Sequence, residues 1–343
     1  MTLPVVESLG SLQAGARARR ADPRLEERLR AAEELLGDDL RWVETSLRGV
    51  AGEGPEPAVS AARHLVELGG KRVRPATLLL ASACVGEIGP VARELAVVVE
   101  LVHSATLLHD DVVDDGMVRR GAVTARRRHG NAVSVLAGDL LLVTALERAA
   151  SSAAGELPEL LSTLRRLVEG EVLQLAGRTA LDASEATYLR IVDAKTASLF
   201  SYAAAAGARA GGGEASHVGA LDTFGGRLGL AFQLVDDVLD YQGDRAEKSL
   251  LTDLAEGKVT LPLALAVARD AALLPLLGRV QAGDAGPVEE LGRAVASSGV
   301  CEEVRLRAER ATEEAVAALE PLPATPARAL LVATARGLAG RAR

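Results

Sequence analysis

Carboxylates recur in two tight clusters of this chain, Asp110-Asp111-Val112-Val113-Asp114 and Asp236-Asp237-Val238-Leu239-Asp240. On a helix, residues four apart lie about one turn, roughly 6 Å, from each other on one face. Asp110 and Asp114 therefore point one way, and so do Asp236 and Asp240. Carboxylates packed so closely repel one another unless cations join them. Hard divalent ions, Mg2+ above all, meet that need and complete their shell with phosphate oxygens. Two such clusters facing one another would hold a diphosphate through bridging metal. One copy alone would pass for a solvated helix face. These two sit among Leu107, Leu108, Val112 and Val113, and among Phe232, Leu234, Val235, Val238 and Leu239. Charge embedded in apolar helix is costly unless it is paired or binds metal.

Cationic residues stand beside the clusters. Gly69-Gly70-Lys71-Arg72-Val73-Arg74-Pro75 reads as a loop entering a helix, with Pro75 at a permitted first-turn position. Its glycines let backbone approach an anion, and Lys71 and Arg74 supply charge and N–H donors. Alone it would be a basic turn; beside two acidic clusters it favours a second, metal-free diphosphate pocket. Arg119-Arg120-Gly121 directly follows the first cluster and complements metal-bound phosphate. The run Arg126–Arg128 reads as a solvated face. His103 lies two helical turns before Asp110 on a similar face, which makes it a site candidate as much as a core histidine. Lys195, Thr196 and Gln233 are polar intrusions on helices that otherwise read as buried, and chemistry alone leaves a structural or a functional role open.

Helices must position all of these. Leu25, Leu29, Ala32, Leu36, Leu40, Val43 and Leu47 recur every three or four residues, as one buried helical face requires. Further helical runs are expected at 57–68, 75–86, 90–115, 131–150, 156–180, 184–209, 214–244 and 259–270 and on to the C-terminus, with no alternating strand pattern. Each acidic cluster then closes a long helix and is followed by a charged break, 116–130 and 243–257. Residues 1–22 are Gly-, Ala- and Arg-rich without period and read as a mobile segment; 23–343 reads as a single all-α domain.

Composition agrees. Of 343 residues 48% are apolar but only 2% aromatic, so Ala, Leu and Val must form a core of closely packed helices. The net charge of −8 argues against general nucleic-acid binding. Cys84 and Cys301 have neither metal-ligand nor disulfide spacing, which favours a reducing cytoplasm. The apolar run Leu95–Leu108 is broken by Glu100 and His103, so no transmembrane segment is expected.

Together these residues resemble the trans-isoprenyl diphosphate synthases, the head-to-tail polyprenyl synthase family. The likeness runs from Gly69 to Pro262. It rests on Gly-Gly-Lys-Arg-x-Arg-Pro, the first aspartate-rich motif with Arg-Arg-Gly, Gly170–Gln174, Lys195-Thr196-Ala197, Phe232-Gln233 with the second aspartate-rich motif, and Gly257–Pro262. The resemblance implies a helical bundle around a deep central cavity, normally a homodimer. It implies that Asp110, Asp111, Asp114, Asp236, Asp237 and Asp240 hold Mg2+ on an allylic diphosphate. Arg119, Lys195 and Lys258 would contact that diphosphate, with Thr196 and Gln233 beside it. Lys71, Arg74, His103 and Arg120 would bind isopentenyl diphosphate. Family members with short products place a bulky aromatic near the position of Ala105. This alanine, with Leu101 and Val102 deeper along the helix, is expected to leave the path open for a heptaprenyl to nonaprenyl product.

One stretch departs from the family. Its Gly-Lys-Pro-x-Gly-x-Asp-Leu loop is here Glu247-Lys248-Ser249-Leu250-Leu251-Thr252-Asp253-Leu254, without either glycine or the proline. That loop keeps a non-catalytic partner subunit of a heteromeric synthase as an alternative, beside a short-chain farnesyl or geranylgeranyl diphosphate synthase. A terpene cyclase fits worse, since it needs neither the second aspartate motif nor a second diphosphate pocket.

Overall fold

The three-to-four-residue recurrence of Ala32, Leu36, Leu40, Val43 and Leu47 becomes one long helix, α1 (Pro23–Val50), and all five side chains are buried. The computed structural model describes residues 23–242 and 250–340, with side chains from residue 30 onward. The expected mobile segment 1–22 lies outside the described residues, as do Glu247–Ser249 of the atypical loop.

The periodic runs fold as expected into α2 (Ala58–Glu67), α3 (Val73–Val85) and α4 (Pro90–Val113). The break at 116–130 is more structured than a loop. It holds a two-stranded antiparallel ribbon, β1 (Val118–Arg119) and β2 (Ala122–Val123), then the short helix α5 (Ala125–His129). Next come α6 (Asn131–Ser152) and α7 (Leu157–Ala180). The run expected at 184–209 is not one α-helix. It is α8 (Glu185–Val192), a π-helical turn (Asp193–Ala197) and α9 (Ser198–Ala210). The chain continues through α10 (Ala215–Gln242), α11 (Thr252–Ala255), α12 (Leu261–Arg269), α13 (Leu273–Gln281), α14 (Val288–Ser297), α15 (Val300–Ala318) and α16 (Pro326–Ala339). Apart from the ribbon, the regular structure of the described residues is all helical. Among the described residues no helix is long and apolar enough to cross a membrane.

The chain divides into two compact units. Of the described residues, the first comprises 23–161, 202–222 and 320–334; the second comprises 162–201, 223–242, 250–319 and 335–340. In the first unit α4 packs on α1, α3 and α6, and Leu95–Val99, Leu101, Val102 and Leu108 are buried. A helix apolar on every side needs neighbours on every side. Each such leucine contributes about 1.5–3 kcal/mol by burial. In the second unit Tyr188, Leu234, Val235, Val238, Tyr241, Leu254 and Leu261 form one cluster. Asp236, Asp237 and Asp240 are interleaved with these apolar residues, so the core itself fixes where the second set of carboxylates stands.

Candidate active site

In the first unit, α4 ends at its acidic cluster in a Schellman arrangement. Gly116 N–H donates to the Asp111 carbonyl at 2.9 Å, Asp115 N–H to Val112 O at 3.4 Å, and Asp115 is left-handed (φ 54°). Asp110, Asp111 and Asp114 therefore crowd the negative end of the helix dipole, where only a cation offsets them. The three differ in access. Asp110 and Asp114 are partly exposed, whereas Asp111 is buried and accepts Arg119 Nε at 2.9 Å and Nη2 at 2.7 Å on one oxygen. His109 turns away to α6, within hydrogen-bond distance of Val135 O at 3.1 Å.

The ribbon explains Arg119-Arg120-Gly121. With Val118 paired to Val123 and Arg119 to Ala122, Arg120 (φ 53°) and Gly121 (φ 78°) form a two-residue turn of type I′ character, which glycine accepts easily and arginine does not. The strained turn carries Arg120 back to the Gly69-Gly70 loop: a Cβ on Gly70 would stand 3.1 Å from Arg120 Nη1 and 2.9 Å from Arg72 Nη1. Arg74, Arg120, Arg119 and Arg72 all bear on His103. Burial first, and then these four guanidinium groups, hold its imidazole well below the usual histidine pKa, so it is neutral at pH 7. Lys71 belongs to the same loop and is partly buried. The structure thus brings together Arg74, His103, Arg119 and Arg120 from separate stretches of sequence.

A pH effect follows from His103. Its pKa is lower folded than unfolded, so below about pH 6.5 the unfolded chain binds the extra proton and stability falls with pH. His103→Asn removes this contribution. Urea titrations at pH 7 and pH 5 should show the variant losing less stability on acidification than the wild type; equal losses would mean His103 protonates freely in the native state.

In the second unit the π turn carries Lys195 and Thr196. Such turns widen a helix locally and are frequent at functional sites. The Thr196 hydroxyl donates to Gln233 Oε1 at 2.9 Å, and Gln233 Nε2 donates to Asp237 Oδ1 at 2.9 Å. Leu261 N–H donates to Asp237 Oδ2 at 3.0 Å, and the Tyr188 hydroxyl lies against the same carboxyl group. Burial pushes the Asp237 pKa up to about 7, against the pull of these donors. Asp240 is buried too and accepts Thr252 N–H at 2.9 Å, capping α11. Asp236 is the partly exposed member of this set. Lys195 pairs with Glu171, and Lys258 with Glu256 at 2.7 Å and Asp253 at 3.5 Å.

The described part of the atypical loop keeps the shape a glycine would give it. Leu251, at the family's second glycine, is left-handed (φ 60°, ψ 26°) and donates its N–H to Asp240 O at 2.8 Å. Its side chain fills the space over Gly292, where a Cβ would meet Leu251 Cδ1 at 2.5 Å. Leu251→Gly would relieve about 1 kcal/mol of strain. It would also lose most of a leucine's burial, about 1.5–3 kcal/mol, and loosen the unfolded chain by several tenths. Packing wins, so urea denaturation should show a net loss of about 1–2 kcal/mol; a gain would mean the socket over Gly292 contributes nothing.

Several contacts had no sequence signal: the left-handed Asp115, the partners of Asp111 and Asp237, and Tyr188. Ala105, Leu101 and Val102 are 1%, 0% and 0% exposed. At about 100° per residue Ala105 sits about 140° around α4 from Asp110. Between His103 and Asp110, Thr106, Leu107 and His109 are partly exposed.

Residues 56–292 match the sequence model of the polyprenyl synthetase family. The octaprenyl diphosphate synthase of Escherichia coli is 36% identical over 308 residues, covering 88% of this chain and 95% of that protein. The all-trans-nonaprenyl-diphosphate synthase (geranyl-diphosphate specific) of Rhodobacter capsulatus is 39% identical over 280 residues, 80% of this chain and 86% of its own. Among solved structures, the polyprenyl synthase of Caulobacter crescentus complexed with calcium and isoprenyl diphosphate superposes with a TM-score of 0.85 at 36% identity, covering 91% of this chain and 98% of that one.

Proposed function

The chain belongs to the polyprenyl synthetase family, and from that premise we propose that it is a Mg2+-dependent prenyltransferase. It condenses isopentenyl diphosphate head-to-tail onto an allylic diphosphate to give an all-trans polyprenyl diphosphate, heptaprenyl to nonaprenyl in length. The octaprenyl and nonaprenyl products in the names of its relatives support that length.

Asp110, Asp114 and Asp236 would be the direct Mg2+ ligands. They are hard oxygen donors near the C-terminal ends of α4 and α10, and partly exposed. Asp111, Asp237 and Asp240 would act through the partners they hold: Arg119, Gln233 and the α11 loop. Among the described residues no three His, Cys, Asp or Glu side chains form a metal cage on their own. That suits an ion whose remaining ligands are diphosphate oxygens and water. When bound, Mg2+ would neutralise charge developing on the leaving diphosphate.

Arg119, Lys195, Lys258 and Gln233, with Thr196 holding the glutamine amide, would grip the allylic diphosphate as its C1–O bond breaks. The electron pair leaves with the diphosphate oxygen. Lys71, Arg74, His103 and Arg120 would hold isopentenyl diphosphate so that its double bond attacks the allylic C1. Loss of a C2 proton to the released diphosphate restores an alkene. The protein's share is positioning and electrostatic stabilisation.

The observation that carries this reading is a second cationic cluster: Arg74 and Arg120 bear on a neutral His103, and Arg120 reaches the Gly69-Gly70 loop. A second anion pocket is what a condensing enzyme needs and a cyclase does not. Protein incubated with Mg2+, labelled isopentenyl diphosphate and each short allylic diphosphate should give a ladder ending between heptaprenyl and nonaprenyl. No product with any starter would sink the proposal; a ladder stopping at farnesyl or geranylgeranyl would sink the length alone. Because Thr106 keeps exposure on the Asp110 side of α4, Thr106→Phe should shorten the product at little cost in melting temperature. Ala105→Tyr must overpack a filled site, at about 1–3 kcal/mol. Unchanged ladders from both would remove α4 from length control.

We place the enzyme in the cytoplasm as a homodimer. Its two cysteines are buried and unbridged. Exposed apolar stripes support a protein partner: Leu136 and Val143 on α6, at 60% and 51% exposure, and Val168 and Val172 on α7, at 63% and 59%.

A further inference from the structure

Arg72 is the odd member of the basic loop. Its side chain is 7% exposed and spent on two carboxylates, with Nε donating to Glu44 Oε2 at 2.9 Å and Nη1 to Glu100 Oε1 at 2.6 Å. A weaker contact joins Nη2 to Glu44 Oε1 at 3.4 Å. The two glutamates are 14% and 4% exposed. Two negative charges on one buried guanidinium leave it no attraction to offer an anion. Its backbone is the second anomaly. Arg72 is left-handed (φ 46°, ψ 33°), and its carbonyl accepts the first helical bond of α3, from Ala76 N–H at 3.0 Å. A non-glycine residue holds that conformation only where its surroundings fix it. Lys71 lies immediately before this turn and Arg74 two residues after it. Glu100 stands one turn before His103 on α4 and also faces Arg120. The triad therefore ties α1, the loop, α4 and the ribbon arginine into one frame around the pocket.

Resting on the proposed function, we infer that Glu44 is a positioning residue for isopentenyl diphosphate: with Glu100 it clamps Arg72, and the clamped left-handed turn presents Lys71 and Arg74. Glu44 lies on α1, outside the residues 56–292 that match the family. The clamp adds geometry and no net positive charge. Loosening it should weaken the pocket for isopentenyl diphosphate without touching the allylic side.

Calorimetric binding of isopentenyl diphosphate and of geranyl diphosphate to the full chain tests this, with melting temperature followed in parallel. Glu44→Gln keeps size and removes one charge-assisted hydrogen bond. It should raise the Kd for isopentenyl diphosphate about tenfold and leave geranyl diphosphate within about twofold. Arg72→Lys, which keeps the charge but cannot fork between two carboxylates, should move the same constant in the same direction. It serves as the second variant should the first fail to fold. Arg48→Gln alters only an exposed neighbour of Glu44 at 3.3 Å and should change neither constant. Lower melting temperature with both constants unchanged, or equal weakening of both ligands, overturns the inference. Wild-type protein that does not bind isopentenyl diphosphate overturns the proposed function and this inference together; wild-type binding with an unaffected Glu44→Gln overturns the inference alone.

Discussion

Asp110→Ala lowers kcat about a thousandfold or more with no matching loss of stability, whereas Asp237→Asn lowers it less than about tenfold. Both residues belong to an Asp-Asp-x-x-Asp motif, and their surroundings set them apart. Asp110 is partly exposed near the C-terminus of α4, among like charges and against the helix dipole. Its partial exposure leaves it open to a metal ion and keeps the stability lost with it small, so its main contribution is to binding the cation. Asp237 is 2% exposed, shared between Gln233 and Leu261 N–H, and has a pKa pushed up to about 7. An amide of the same size keeps one carbonyl acceptor for these donors, and the side chain is covered from a metal ion in either form. Turnover measured across a range of Mg2+ concentrations separates the two. Asp110→Ala should need far more Mg2+ for half-maximal rate, while Asp237→Asn should keep the wild-type requirement. Equal Mg2+ requirements would mean the motifs act as undivided ligand sets, and the distinction drawn from burial would be wrong.

What the sequence displays is the part of the site built from periodicity and local spacing. The recurrence of Leu36, Leu40, Val43 and Leu47 is enough to give α1, and apolar flanks on both sides of Asp110 and Asp236 are enough to say that each cluster closes a helix. The Gly69–Pro75 loop and Arg119-Arg120-Gly121 announce their chemistry by composition. Tertiary contacts decide the rest. Nothing in the spacing of Asp110, Asp111 and Asp114 says that the middle carboxylate is covered, because that depends on an arginine returned by a ribbon whose strands are two residues each. Strands that short carry no alternation to read. The spacing over 184–209 predicts plain helix through the π turn at Asp193–Ala197, because one extra residue in a turn leaves apolar periodicity almost unchanged. Leu251 stands where the family's loop has a glycine, yet it keeps the glycine backbone because its side chain finds a socket 41 residues on, at Gly292.

Arg119→Gln produces the other large effect and exposes two roles of one side chain. Arg119 is 28% exposed, with Nε and Nη2 both directed to one oxygen of an Asp111 that is 3% exposed. Removing one partner of such a pair leaves a buried carboxylate uncompensated, at about 3–5 kcal/mol when both are buried. The partial exposure of Arg119 lowers this to about 2–3 kcal/mol, read as a shift in the urea midpoint. Turnover should fall about a hundredfold as well, if the same guanidinium meets the allylic diphosphate. The double variant Asp111→Asn with Arg119→Gln separates the two effects. Two neutral amides can hydrogen-bond to one another, so most of the lost stability should return, while the cation that served the diphosphate is still missing. Restored stability with turnover still depressed assigns Arg119 to the diphosphate. Restored stability with restored turnover would reduce it to the residue that holds Asp111 in place, leaving Lys195 and Lys258 as the cations of that site.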